Sequence, residues 1–159
     1  MVIMDKFIIA MLSVLTLYTT AEAANLSFKG TLIIPAPCTI NNNTEKEINF
    51  GNNLVTDKVD GVNYRKNVNY TLVCTNPPSN ALKLRLTATD AGYNNAIKTN
   101  MPNLGIQIYN GSTVQPINTW FNFTYPTLPV LDAVPVKKAG TTLAAGDFTA
   151  TATLEVDYQ

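Results

Sequence analysis

An all-β fold, built as an antiparallel sandwich, is predicted by three features of this 159-residue chain. Short apolar/polar alternations recur along it with the two-residue period of strands that bury one face. Turns rich in Gly, Pro and Asn separate them at roughly regular spacing, and no stretch keeps the period of a helix. The most regular alternation comes last: Phe148, Ala150, Ala152, Leu154, Val156 and Tyr158 recur at every second position, with Thr149, Thr151, Thr153, Glu155 and Asp157 between them. A strand in that place must pair its backbone and apolar face with an earlier strand or with another chain.

Residues 1–23 read as a secretory signal: Lys6 near the start, the apolar run Phe7 to Leu17, then Ala21-Glu22-Ala23 as a small-residue cleavage site before Ala24. The run is too short to span a bilayer. Removing 23 residues from 159 leaves 136, one domain with one modest core. Of eleven basic and eleven acidic residues, removal of Asp5, Lys6 and Glu22 leaves ten and nine, so charge points neither to nucleic acid nor to an anionic surface. Cys38 and Cys74, the two cysteines of an exported chain, suggest one disulfide. Their spacing suits neither a zinc knuckle nor a CxxC redox pair, and without histidine no metal is expected.

In order along the chain, Leu26, Phe28, Gly30, Leu32 and Ile34 share one face of an extended leader that Pro35 and Pro37 end. Cys38 to Ile40 is a short strand, Asn41 to Thr44 a polar turn, and Ile48 with Phe50 a second short strand closed by Gly51-Asn52-Asn53. Leu54 to Lys66, mostly polar and containing Asp60-Gly61, reads as a surface loop. Val68, Tyr70, Leu72 and Cys74 alternate with Asn69, Thr71 and Val73, a strand that carries the second cysteine inward. After the turn Asn76 to Asn80, Leu82 to Ala88 alternates cleanly enough to be expected at the centre of a sheet. Asp90 to Asn103 is expected to cross the surface. Leu104, Ile106 and Ile108 form one more strand, ended by Asn110-Gly111 as a two-residue hairpin turn. The aromatics Trp120, Phe121, Phe123 and Tyr125 are expected in the core, and Pro135 within Val130 to Val136 marks an edge or a bulge. Ala139-Gly140 turns the chain toward its last strand. The whole reads as a sandwich of immunoglobulin type.

Several pieces now fall in one order: a cleaved signal, an alternating leader with Gly30 inside it, Pro37-Cys38-Thr39-Ile40, a second cysteine ending a strand, Gly146, and the penultimate Tyr158. Together they resemble a subunit of chaperone-usher fimbriae. Phe28-Lys29-Gly30, then Leu32-Ile33-Ile34-Pro35 and Pro37-Cys38-Thr39-Ile40-Asn41-Asn42, is most similar to minor tip adaptor pilins of the Pap type. The long Asp90 to Asn103 stretch fits no particular relative.

The resemblance implies an incomplete immunoglobulin-like sandwich that lacks its last strand, preceded by an N-terminal donor-strand extension. Residues 24–37 would be that extension, with Leu26, Phe28, Gly30, Leu32 and Ile34 as the donated face, and 38–159 the pilin domain. Gly146, Phe148, Ala150, Ala152, Leu154, Val156 and Tyr158 would line the acceptor groove and meet the chaperone. The implied partners are a periplasmic pilus chaperone, an outer-membrane usher and neighbouring fimbrial subunits, with no cofactor, no nucleic acid and no small-molecule substrate. The implied destination is the cell-surface fimbrium, reached through the periplasm, and the implied role is tip adaptor or initiator. Strands are exchanged in such fibres, an established case of β-strand addition in which the main chain supplies hydrogen bonds and alternate side chains fill pockets. Burying Phe28, Leu32 and Ile34 at about 1.5 to 3 kcal/mol each gives of order 5 to 9 kcal/mol before ordering costs. Gly30 would meet a shallow part of the groove, with an ordinary strand bulge as the alternative, and Gly146 equally suits a turn entering the strand.

A carbohydrate-binding fimbrial adhesin is the competing expectation, carried by the aromatics around Trp120, but 136 residues leave no space for a separate lectin domain. An assembly chaperone would need two sandwiches. Catalysis lacks support: no histidine is present to act as base, and Asp132, Asp147 and Glu155 show no pairing in the sequence.

Overall fold

The computed structural model describes residues 26–32 and 37–159. The chain separates into two units, Met1–Leu32 and Ile33–Gln159. The signal expected over 1–23 lies outside the described residues, as does Ile34 of the leader.

The second unit is built from ten strands: β1 (Cys38–Ile40), β2 (Lys66–Asn67), β3 (Leu72–Cys74), β4 (Ala81–Thr87), β5 (Ile97–Lys98), β6 (Leu104–Asn110), β7 (Thr113–Val114), β8 (Phe121–Thr124), β9 (Leu131–Lys137) and β10 (Thr153–Tyr158). Every strand pair is antiparallel. One sheet runs β10-β4-β8, a second β2-β9-β6-β5 with β7 on β6, and β1 pairs β3. Two single 3-10 turns, Asn41–Asn43 and Thr56–Lys58, are the helical elements among the described residues.

β4 is central, as its alternation requires. Leu82, Leu84 and Leu86 point into the core, while Lys83 and Arg85 face outward opposite their register partners Asp157 and Glu155 on β10. Lys83 Nζ lies 3.5 Å from Asp157, and Arg85 donates to Glu155 from Nε at 3.0 Å and from Nη2. Trp120 does not join the core. Its ring lies on this outer face with Arg85 4.4 Å and Lys83 5.2 Å from its centroid, a cation-π stack that the polar positions of β4 make available. Phe123 is buried, while Phe121 and Tyr125 are half-buried.

On the second sheet, Ile106 and Ile108 of β6 and Ala133 of β9 pack with Leu131, Ile97, Val68 and Ile117. Pro135 is fully buried and sits opposite Ile106. A proline has no N–H to give a ladder, so it must sit where its nitrogen faces away from the neighbouring strand. That is the free side here: β2 covers only Asp132 and Ala133, and the Pro135 carbonyl accepts from Gly61 N–H at 3.2 Å. β9 itself lies between β2 and β6, so the expected edge or bulge becomes a local edge, past the end of β2.

Other segments depart from their sequence expectation. The Val68 to Cys74 alternation keeps its burial pattern, but Asn69 at φ 48° splits it: Val68 N–H donates to the Leu131 carbonyl at 2.8 Å, continuing β2 along β9, and β3 pairs β1. The hairpin after β6 pairs Asn110 with Thr113, so its two loop residues are Gly111 and Ser112. Gly111 at φ 60° supplies the positive φ that a II′ turn needs at its first position. Asp90 to Asn103 does not simply cross the surface: it contains β5 and buries Ala96, Ile97 and Thr99, which tie it to β6. Within Leu54 to Lys66, Val59 is buried, and Tyr109 Oη donates to the Gly61 carbonyl at 3.4 Å, so this loop is tethered to the second sheet. Among the described residues, ten non-glycine residues have positive φ, and nine of them are asparagine, the residue whose short polar side chain best tolerates that region.

Candidate functional site

β10 pairs with β4 on one side and stands at the edge of its sheet. The ladder starts only at Thr153, opposite Thr87. Upstream of that pair β4 is no longer available. The Thr89 carbonyl accepts from Lys98 N–H of β5 at 2.8 Å. Residues 146–152 therefore run on without β4. The expected strand from Phe148 to Tyr158 is thus paired over its second half, and Ala150 and Ala152 are exposed where the alternation put them in the core. At the other end the chain is pinned: Gln159 N–H donates to Ala81, and its side-chain amide donates to Leu82 at 2.9 Å and Phe123 at 3.0 Å.

Leu154 and Val156 are half-buried and Tyr158 is buried, all packed on the core from one face of β10. Phe148 is half-buried and meets Phe50, with ring centroids 5.9 Å apart. Gly146 is exposed at φ 146°, a value glycine favours, and a Cβ there would meet Met101 Cε at 3.4 Å. These residues form one apolar wall. The chain from the end of β1 onward supplies the other: Ile40, Ile48 and Phe50 are half-buried and pack on the same two core clusters. Ile48 and Phe50 alternate as expected, yet no strand forms, because among the described residues nothing pairs their backbone. Nor does any backbone hydrogen bond join this segment to residues 146–159. Two extended edges thus flank a strip of half-covered apolar side chains. An unpaired edge over an unfinished core is a template for an added strand.

The base of the second wall is fixed covalently. Cys38 and Cys74 are register partners in β1 and β3 and form a disulfide across 36 residues. Closing a loop of that length stabilises by about 3 to 4 kcal/mol in the chain-entropy model. Beside the walls, hydrogen bonding from Arg85, and secondarily from Thr87, holds the Glu155 carboxyl below its ordinary range. Burial raises the Tyr70 phenol, which donates to the Pro129 carbonyl at 3.0 Å. The strip itself holds no buried charge among the described residues.

In the first unit, residues 26–32 form neither helix nor strand. Leu26 is 80% exposed, Phe28 89% and Leu32 102%, and a Cβ at Gly30 would have nothing within 4 Å. Four of the five leader residues expected as the donated face are thus described, and Ile34 is not.

A family model described as fimbrial protein matches residues 26–159. The chain belongs to that family. This fimbrial subunit is 40% identical over 131 residues to the fimbrial-like protein YfcR of Escherichia coli strain K12, covering 79% of its own length and 75% of the relative's. It is 30% identical over 159 residues to the fimbrial adapter PapF of Escherichia coli, covering 91% and 93%. The solved structure of the P pilus adaptor subunit PapF superposes with a TM-score of 0.56 at 26% identity, over 79% of this chain and 98% of that one. The fold is therefore the immunoglobulin-like pilin sandwich, and the subunit is structural and not an enzyme. The sequence missed the Ile40, Ile48 and Phe50 wall as part of the site. Two alternating residues were its only signal, and nothing local ties them to a segment a hundred residues away.

Proposed function

We propose that this subunit is exported through the periplasm and joins a cell-surface fimbrium by donor-strand exchange, as a tip adaptor or initiator. One observation carries it: an unpaired edge and a half-covered apolar strip in one unit, and an alternating, exposed apolar leader in the other. Each half is what the other lacks. A strand laid along β10 completes the ladder and covers Phe148, Leu154 and Val156, while this subunit's own leader does the same for a neighbour. A periplasmic chaperone would occupy the groove first, and an outer-membrane usher would then present the subunit for exchange. Similarity to relatives named as a fimbrial adapter and as a minor fimbrial protein supports the adaptor role.

The test is a leaderless chain, residues 38–159, with and without a synthetic peptide spanning Ala24 to Pro37. Without a donor strand, low solubility and a low unfolding temperature are expected; with the peptide, both rise strongly. A leaderless monomer that stays soluble and well folded alone contradicts the proposal.

A further inference from the structure

Residues 146–152 have left β4, yet they do not hang free. Asn100 takes hold of Thr149 at both backbone groups: its own N–H donates to the Thr149 carbonyl at 3.1 Å, and its side-chain Oδ1 accepts from Thr149 N–H at 2.7 Å. One residue thereby mimics a strand pair. The loop that presents Asn100 is itself stiff. Thr99 is buried, and its Oγ1 accepts from Met101 N–H at 3.1 Å and lies 2.8 Å from the Leu104 carbonyl, while Asn103 accepts from Lys138 N–H at 2.9 Å. Met101 of the same loop packs where a side chain at Gly146 would be.

We infer that Asn100 is a positioning residue for strand addition, which extends the acceptor edge beyond β10 by clipping Thr149 in extended register. Length gives the reason, and the inference rests on the donor-strand function proposed above. At about 3.3 Å per residue, the leader face from Leu26 to Ile34 spans about 30 Å, while the six residues of β10 span only about 20 Å. From Thr149 to Tyr158 the edge reaches about 33 Å, enough for the whole face. Without the clip, Ala150, Thr151 and Ala152 have neither β4 nor the loop to order them, and an incoming strand must first pay their ordering entropy. The clip also leaves their outer edge open, because it acts on Thr149 alone.

The experiment uses the full chain and a dansyl-labelled peptide of residues 24–37, with uptake followed by energy transfer from Trp120, the single tryptophan. Asn100 is exposed, so Asn100→Ala opens no core. This variant should take up peptide roughly fivefold more slowly, the factor one hydrogen bond is worth, and amide exchange at residues 150–152 should quicken. Asn100→Asp keeps an oxygen for Thr149 N–H and should restore uptake to within about twofold. Thr149→Pro deletes that N–H from the other end and should slow uptake as Asn100→Ala does. Wild-type rates in both Asn100→Ala and Thr149→Pro, or equal slowing in the Ala and Asp variants, overturn the role of Asn100 and leave donor-strand function standing. If the unaltered chain takes up no peptide at all, the donor-strand function falls first, and the inference with it.

Discussion

Replacing Phe28 by alanine in the donated strand should weaken its uptake roughly 100-fold. Phe28 is 89% exposed, so nearly all of its side chain is available for burial. A phenylalanine buries of order 150 to 250 Å², which at about 25 cal/mol per Å² comes to about 4 to 6 kcal/mol as an upper bound. Alanine keeps part of that, and the half-buried Leu154 and Val156 regain some water contact. A net loss of about 3 kcal/mol remains, or about two orders of magnitude in affinity. Fluorescence-anisotropy titration of labelled 24–37 peptides against the protein measures it directly, and a negative heat-capacity change for the unaltered peptide would report the apolar burial. Lys29→Ala serves as the control, because Lys29 lies on the opposite face of an extended strand. Equal weakening by Phe28→Ala and Lys29→Ala would refute the face assignment, and no weakening by Phe28→Ala would refute burial.

Three further outcomes are expected. In the same peptide, Gly30→Val should impair uptake more than Lys29→Val, since on the donor-strand proposal only position 30 points into the groove; matched effects on half-saturation would contradict that orientation. Gly105→Ala should lower the unfolding temperature, because its Cβ would stand 2.8 Å from Ala96 Cβ and 3.2 Å from the Ile97 carbonyl, in a paired hairpin that cannot move aside. About 1 to 3 kcal/mol is expected from urea unfolding, with Gly92→Ala, where no atom lies within 4 Å but φ is +81°, separating backbone strain from the clash. Arg85 holds Glu155 below its ordinary 4.5, so the folded carboxyl keeps its charge to lower pH than the unfolded one. Its contribution is therefore present above pH 4.5 and lost as pH falls through the lower folded value. Glu155→Gln should cost at most about 1 kcal/mol at pH 7 and flatten the stability profile as pH falls below 4.5; an unchanged profile would show the pair to be idle.

The strands whose partners are close in pattern were legible from alternation alone. Leu82 to Ala88 reads as a central strand because three leucines face one way and two cations the other, and β4 is central. Pro135 announced a position with one strand neighbour because proline cannot serve two, although β9 as a whole lies between β2 and β6. Trp120 misled, since bulk and aromaticity say core while the two cations that cover it stand on another strand. Asp90 to Asn103 looked like a loop because β5 has only two residues, too few for any period to show.

The amino-acid order by itself carried the β-sandwich, a one-sided last strand, a cysteine pair and an apolar leader, because period, turn chemistry and cysteine spacing are local properties of the chain. Folding alone decided where the last strand stops pairing, that Phe50 comes to face Phe148, and that Asn100 grips Thr149. Those contacts join segments whose separation leaves no trace in any local pattern; they arise where the chain beyond β4 turns to β5 of the second sheet and leaves an edge of the core uncovered.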